Sequence, residues 1–259
     1  MTFHEKSGLR YFTFASLDAA GAGQAVLTRR GGTSRAPFTS LNLGSSVGDD
    51  PDAVAENRRR ALAAFGRTPS SIPELHQVHS NRIVRAGDGD ALSPAQADGV
   101  VTDSPEFTLS MRFADCVPIL LFDPVRRAIG MAHAGWKGTA AKAAAAAVEA
   151  LQAHFDSRPA DILAGIGPCI GPDHYAIGTD VAESIRSSFG PAAENFFSRK
   201  ETELRLDLPA ANEYALREAG VERIERAGIC TACHTEDWFS HRAERGRTGR
   251  FGALMWLAE

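Results

Sequence analysis

Val117-Pro118-Ile119-Leu120-Leu121-Phe122 is a continuous apolar run, followed by Asp123-Pro124-Val125-Arg126 and then by Ala128-Ile129-Gly130-Met131-Ala132. A run with no polar alternation reads as a strand covered on both faces. Asp-Pro opens a turn, and the residues after it read as a second strand running back. A two-residue turn at Pro124-Val125 would pair Asp123 with Arg126. It would also set Cys116 opposite His133, with Cβ atoms roughly 5 Å apart. A thiolate and an imidazole at that separation can share one metal ion or form a nucleophile–base pair. A buried cysteine beside a core histidine is the plainer alternative.

Working outward, Gly135-Trp136-Lys137-Gly138 reads as a strand-to-helix loop. Backbone N–H groups at such a loop can face an anion, and Lys137 adds a positive charge. The Ala-rich stretch from Thr139 to His154 predicts a helix with Thr139 as N-cap. Ile162–Ile166 and a final run, Ala253–Leu257, predict further strands, with two helical stretches between them. Upstream, the apolar run Gln24–Thr28 leads into turn-rich sequence. Asp50-Pro51 predicts a helix start, with Val54, Arg58, Leu62 and Phe65 at helical spacing and Gly66 at the end. Leu75–Ala86 predicts one strand, and Met111–Ala114 a short one. On a strand His76 and His79 face opposite ways, so only one of them reaches a given site. No repeat or linker divides the chain, and residues 1–259 are expected to form one domain.

The 259 residues carry 28 Lys plus Arg against 32 Asp plus Glu, a net charge of −4, which excludes a general nucleic-acid coat. No apolar run reaches the roughly 18 residues of a membrane helix, and the first residues lack a signal pattern. The cytoplasm is the expected location, and four cysteines there are expected to be buried, metal-bound or reactive, not paired. Cys230-Thr231-Ala232-Cys233-His234 matches C-x-x-C-H. A haem attachment would need export, and a zinc knuckle a second close ligand pair that the sequence lacks. A redox dithiol or two partly buried thiols remain. The arginines of the tail, Arg242, Arg245, Arg247 and Arg250, form either a solvated face or contacts to a phosphate-bearing ligand.

An ordered set of short motifs then stands out along residues 24–257: Thr28-Arg29-Arg30-Gly31-Gly32-Thr33-Ser34, Leu41-Asn42-Leu43-Gly44, Gln77-Val78-His79, Ala114-Asp115-Cys116-Val117-Pro118, Ala132-His133-Ala134-Gly135-Trp136-Lys137-Gly138 and Phe239-Ser240-His241-Arg242. The set resembles the YfiH-type laccase-domain family, also described as polyphenol oxidase-like proteins and purine nucleoside phosphorylases. The resemblance implies an α+β fold with mixed sheets in an α/β/β/α sandwich. It implies a zinc ion held by His79, Cys116 and His133, with one position left open as in catalytic sites. Copper is the alternative metal, since a His₂Cys set with a weak axial Met suits blue copper, and Met111 and Met131 are available. Eight histidines without an H-x-H pair cannot build a trinuclear copper cluster.

The activity implied is phosphorolysis of adenosine, inosine, guanosine or methylthioadenosine to a free base and a ribose 1-phosphate, with adenosine deamination beside it. Small-molecule nucleoside and phosphate are then the partners, with no nucleic acid and no membrane. Cys116, His133 and Asp115 are the candidate catalytic residues. Arg29, Gly135, Lys137 and Arg242 are candidates to hold phosphate, and Asn42 and Asp115 to orient the ligand. The chain departs from the family in carrying His241 where Tyr is frequent, Ala243 where a second Arg is, and Lys137 where Arg is common. Three other readings stand beside this one: a metal-free Cys116–His133 hydrolase or deamidase, by analogy with a toxin domain of that fold, a copper-dependent polyphenol oxidase, and a metal-binding protein without turnover.

Overall fold

The computed structural model describes residues 2–73, 75–86 and 95–258. Two sheets face each other. The first is antiparallel throughout, in the spatial order Thr2–Lys6, Leu9–Thr13, Ala22–Leu27, Phe251–Leu257, Thr108–Phe113. The second is mixed, in the order Arg223–Arg226, Leu163–Ile166, Val117–Asp123, Ala128–Ala134, Gly99–Thr102, Ile83–Arg85. Its outer pairs, Leu163–Ile166 with Arg223–Arg226 and Ile83–Arg85 with Gly99–Thr102, are parallel.

Side-chain alternation builds the layers. All seven residues of Val117–Asp123 are buried, as expected for a strand covered on both faces. Ile119 and Leu121 point to a helical layer with Ala144, Val148, Leu151 and Leu216, whereas Leu120 and Phe122 meet Phe12, Val26, Met111 and Phe251 between the sheets. The far face of the first sheet, through Leu9, Leu27 and Leu254, packs on Ala61 and Leu62 of the helix Pro51–Ala63. The result is helix, sheet, sheet, helix, the α/β/β/α sandwich implied by resemblance. Asp50 caps the Pro51–Ala63 helix by accepting from Asp52 N–H, as its sequence predicts.

The central hairpin is real but wider than predicted. Asp123 pairs with Ala128, not Arg126, and His133 pairs with Pro118. The carboxylate of Asp123 accepts from the N–H groups of Val125 and Arg126, which folds residues 124–127 into a four-residue connection. Continuing that register sets Cys116 opposite Gly135, two residues from the predicted partner. A two-residue shift keeps every side chain on its face, where one residue would invert it. Cys116 and His133 therefore remain on the same, inter-sheet side as diagonal neighbours.

Three further expectations are corrected. Leu75–Ala86 is not one strand but two, Leu75–His76 and Ile83–Arg85. The Asp98 carboxylate takes the N–H groups of Val78, His79 and Ser80, which a continuous strand would need for its ladder. Gly135–Gly138 is not an open loop: Gly135 caps a short helix, Trp136–Ala140, and the Ala-rich helix restarts at Ala143 after Lys142 adopts a left-handed conformation (φ 56°). Thr139 lies inside the short helix, where its hydroxyl accepts from Asn212, so it is not the cap. The strand predicted at Met111–Ala114 runs Thr108–Phe113, and the final strand begins at Phe251. The N-terminal hairpin and a second hairpin, Phe197–Lys200 with Glu203–Leu206, add to the sequence reading.

Candidate functional site

The site lies at one end of the layer between the sheets. His133 is near the end of a fully buried strand and is only 4% exposed. Cys116, half-buried, immediately precedes the neighbouring strand. His79 comes from the loop between the two short strands and is exposed. One ligand atom from each lies within 4.8 Å of the other two. The two imidazole rings meet edge to face, with centroids 5.0 Å apart. Gly135 makes room for this: a Cβ there would lie 2.9 Å from Cys116 Sγ and 3.0 Å from His79 Cδ2. Its backbone (φ −74°) is one that any residue adopts, so space, not conformation, requires glycine.

Asp98 organises all of this, and the sequence reading missed it. The residue is fully buried. Its Oδ1 lies 2.9 Å from His133 Nδ1 and accepts from His79 N–H, while Oδ2 accepts from Val78 N–H, Ser80 N–H and the Ser80 hydroxyl. These bonds hold His79 in a left-handed conformation (φ 63°) and leave His133 Nε2 to face Cys116. The only sequence signal is Asp98-Gly99, which reads as a turn.

Burial opposes charge at Cys116, but the charge and hydrogen bonds of His133 and His79 outweigh it and lower its thiol to about 6. His133 is likewise opposed by burial, yet Cys116 and Asp98 raise it. Asp98 is held well below the usual carboxylate range: burial works against this, and the hydrogen bonds from His133 and Ser80 overcome it. A thiolate and two imidazoles converging in this way, one of them locked by a carboxylate, is a donor chemistry that fits a borderline-soft metal. Among the described residues this group has three members.

The other sequence candidates divide. Asp115 flanks Cys116 in a left-handed conformation (φ 83°), with Oδ1 accepting from the Thr231 hydroxyl and Oδ2 from Arg242 N–H. Both of its carboxylate oxygens are thus engaged by neighbouring segments. Arg242 spreads over the Tyr175 ring and donates to the Ala176 carbonyl. Burial pushes the Tyr175 phenol up, and the Cys116 charge adds to that, so Tyr175 lies within electrostatic reach of Cys116. Arg250, half-buried, lies within electrostatic reach of Cys116 and Asp115. The sequence does not single out Tyr175, and it offers Arg250 only as one of the tail arginines that could meet a phosphate-bearing ligand. Lys137 is exposed on the first turn after Gly135.

Arg29 and Asn42 are committed to the fold. Arg29 donates to the carbonyls of Thr39 and Thr235 and pairs with Glu244 at 3.0 Å. Asn42 is fully buried, bonded to Gly44, Asp49 and Arg250 N–H. Met111 and Met131 are buried in the inter-sheet core. A cleft of about 410 Å³ lined by Leu43, Arg58, His76 and Arg112 contains none of the three converging donors. His76 goes to that cleft while His79 goes to the donor group. One histidine of the pair reaches the site, as expected, but a loop and not strand alternation separates them. No helix among the described residues is long and apolar enough to cross a membrane.

The chain is similar to known proteins over nearly its whole length. Residues 23–258 match the family model described as multi-copper polyphenol oxidoreductase laccase. A purine nucleoside phosphorylase YlmD of Geobacillus stearothermophilus is 38% identical over 249 residues, covering 91% of this chain and 90% of that protein. The purine nucleoside phosphorylase YfiH of Escherichia coli is 34% identical, covering 89% and 91%. The crystal structure of YlmD from Geobacillus stearothermophilus superposes with a TM-score of 0.92 at 34% identity, covering 99% of each chain. That of the Bacillus licheniformis hypothetical protein YfiH gives 0.91 at 35% identity, again covering 99% of each. With sequence and fold matched over nearly its whole length, the chain belongs to the YfiH-type laccase-domain family.

Proposed function

We propose that this chain is a zinc-dependent purine nucleoside phosphorylase that also deaminates adenosine. The observation that carries the reading is the convergence of His79, Cys116 and His133 with three protein donors, which leaves a fourth position for a ligand. Relatives 34–38% identical are named purine nucleoside phosphorylases, which supports the substrate class. When bound, the metal supplies a fixed positive charge that polarises an oxygen of phosphate, ribose or water.

The chain's own residues do the remainder. Asp98 keeps the proton of His133 on Nδ1, so that Nε2 serves as a donor atom toward the site. Lys137 and Arg250 bring positive charge to the side where a phosphate dianion must wait. In phosphorolysis a phosphate oxygen bonds C1′ as the C1′–N9 bond breaks. The electron pair leaves with the purine, which takes up a proton. In deamination water adds at the purine C6, and ammonia departs. The preformed donors cost no reorganisation at that moment. Release of hypoxanthine from inosine in metal-loaded protein, dependent on phosphate and lost in His79→Ala, Cys116→Ser and His133→Ala, tests the proposal. Turnover that persists without phosphate, or in all three variants, overturns it.

One observation favours a second reading. Without metal, the lowered Cys116 thiol, raised His133 and buried Asp98 form a Cys–His–Asp relay suited to nucleophilic chemistry. Metal analysis separates the two: stoichiometric metal lost with Cys116→Ser supports the phosphorylase, and active metal-free protein inactivated by alkylation supports the hydrolase.

A further inference from the structure

The C-x-x-C-H turn lacks a second ligand pair in sequence, yet the fold brings a third donor from a distant segment. His174, on the 3-10 turn Pro172–His174, places Nδ1 3.8 Å from Cys230 Sγ and 3.5 Å from Cys233 Sγ. All three donor atoms lie within 4.8 Å of one another. Zinc–sulfur and zinc–nitrogen bonds of about 2.3 and 2.0 Å at tetrahedral angles put sulfur and nitrogen roughly 3.5 Å apart. The distances found, 3.5 and 3.8 Å, lie at or just above that value before any ion is bound. His234, the histidine of the motif, turns away to Glu236 at 3.3 Å, so the sequence pattern alone names the wrong imidazole.

The surroundings suit a bound cation. Cys230 Sγ accepts the backbone N–H of Gly171 at 3.2 Å, a hydrogen bond that favours thiolate and fixes the sulfur's direction. Asp173 lies within electrostatic reach of Cys233. A cleft of about 220 Å³ reaches the group, lined in part by Gly171, Asp173, His174, Cys230 and Cys233. His174 and Cys233 are exposed, so entry is open.

From this geometry we infer a second metal site, formed by His174, Cys230 and Cys233, for a thiophilic divalent cation of the zinc class. Binding releases the two thiol protons to solvent, and the thiolates and the neutral imidazole then donate to the ion. The site staples two segments that both hold Asp115. Thr231, between the cysteines, donates its hydroxyl to Asp115 Oδ1, and Ile170 N–H donates to the Asp115 carbonyl. Cys169 and Cys230 are already paired backbone to backbone. An ion here fixes the wall that carries Cys116, without being part of the His79–Cys116–His133 group.

The test is a metal titration of reduced, chelator-stripped full-length protein with Zn²⁺, and with Co²⁺ as a spectroscopic probe. Two equivalents are expected in the unaltered chain. One should remain in Cys116→Ser, with the charge-transfer intensity of two thiolates bound to cobalt. Adding Cys233→Ser or His174→Ala to that variant should remove it. Cys233→Ser or His174→Ala alone should lower the stoichiometry by one, whether or not His79, Cys116 and His133 bind metal. Circular dichroism of each variant establishes that it is folded. Zinc should raise the melting temperature of Cys116→Ser and leave that of Cys116→Ser/Cys233→Ser unchanged. A titration in which neither Cys233→Ser nor His174→Ala lowers the stoichiometry overturns the inference. A Cys230–Cys233 disulfide that forms under reducing conditions and excludes cobalt does so as well.

Discussion

Asp98 Oδ1 lies 2.9 Å from His133 Nδ1, and the same oxygen accepts the backbone N–H of His79. One buried carboxylate thus positions two of the three converging donors, one through its ring and one through its main chain. Removing it should disturb metal and fold together. Asp98→Asn keeps the shape but replaces an acceptor oxygen with an N–H donor facing other donors. Metal affinity is expected to fall about 10–100-fold. The folded state should lose about 3 kcal/mol, read as a melting temperature lower by several degrees. The pH dependence follows from the direction of the shift. A carboxylate held below its unfolded value stabilises the fold above the ordinary carboxylate range, and that stability is lost as pH falls through and below about 4. Acid unfolding of the metal-free protein should be steep there, and shallower in Asp98→Asn.

Gly135 tests space instead of charge. Its backbone accepts alanine, but the added methyl carbon would sit 2.9 Å from Cys116 Sγ and 3.0 Å from His79 Cδ2. Gly135→Ala should therefore fold and yet bind metal at the His79–Cys116–His133 group at least tenfold more weakly, by competition with a chromophoric chelator. Unchanged affinity would show that the His79 loop yields freely and that the close approach is not required.

These two residues also mark how far sequence carries. The apolar run Val117–Phe122 gives both covered faces correctly, because burial leaves a direct compositional imprint. The hairpin's loop length does not show, since Asp123 makes its turn with a side chain that also suits a two-residue connection. Cys116 and His133 stay on one face in spite of the longer connection only because the shift in register is even. Asp98 was hidden for another reason: a carboxylate before glycine reads as an exposed turn, and its burial depends on partners 18 to 35 residues away. Arg29 and Asn42 show the converse. Their residue types suit a ligand, but the fold spends their hydrogen bonds on backbone and neighbouring side chains. His174 joins Cys230 and Cys233 across more than 50 positions, a contact that no local pattern encodes.

The cationic candidates can be separated by how each variant fails. Arg29 holds two carbonyls and Glu244 with little solvent exposure. Arg29→Ala should cost about 2–3 kcal/mol of stability while leaving the KM for phosphate unchanged in the protein that folds. Lys137 is exposed, and among the described residues its ammonium approaches the Trp136 ring at 5.5 Å without a side-chain hydrogen bond that would resist removal of its charge. Lys137→Ala should leave the melting temperature within about 2 °C and raise the KM for phosphate about tenfold, roughly 1.4 kcal/mol. Lys137→Arg should restore it. Steady-state kinetics against phosphate at saturating inosine, paired with thermal unfolding, reads both.

Cys116 supplies a prediction that needs no substrate. In metal-free protein its thiol is lowered to about 6 because His133 and His79 stabilise the thiolate more than burial penalises it. Thiolate is the alkylated form, so the rate with iodoacetamide should rise through about pH 6 and level off near neutrality. An ordinary cysteine would still be climbing past pH 8. His133→Ala removes the leading stabilising charge, leaves burial unopposed from that side, and should move the midpoint upward by more than one pH unit. Bound metal should suppress the reaction across the range, because the sulfur lone pair is then engaged. Mass spectrometry of the labelled peptide separates Cys116 from the exposed Cys233, whose thiol is pushed up by partial desolvation, then by the neighbouring Cys230 sulfur and Asp173. A Cys116 profile centred above pH 8 would falsify the thiolate–imidazolium pairing and with it the case for a relay of His133 and Asp98 behind the sulfur.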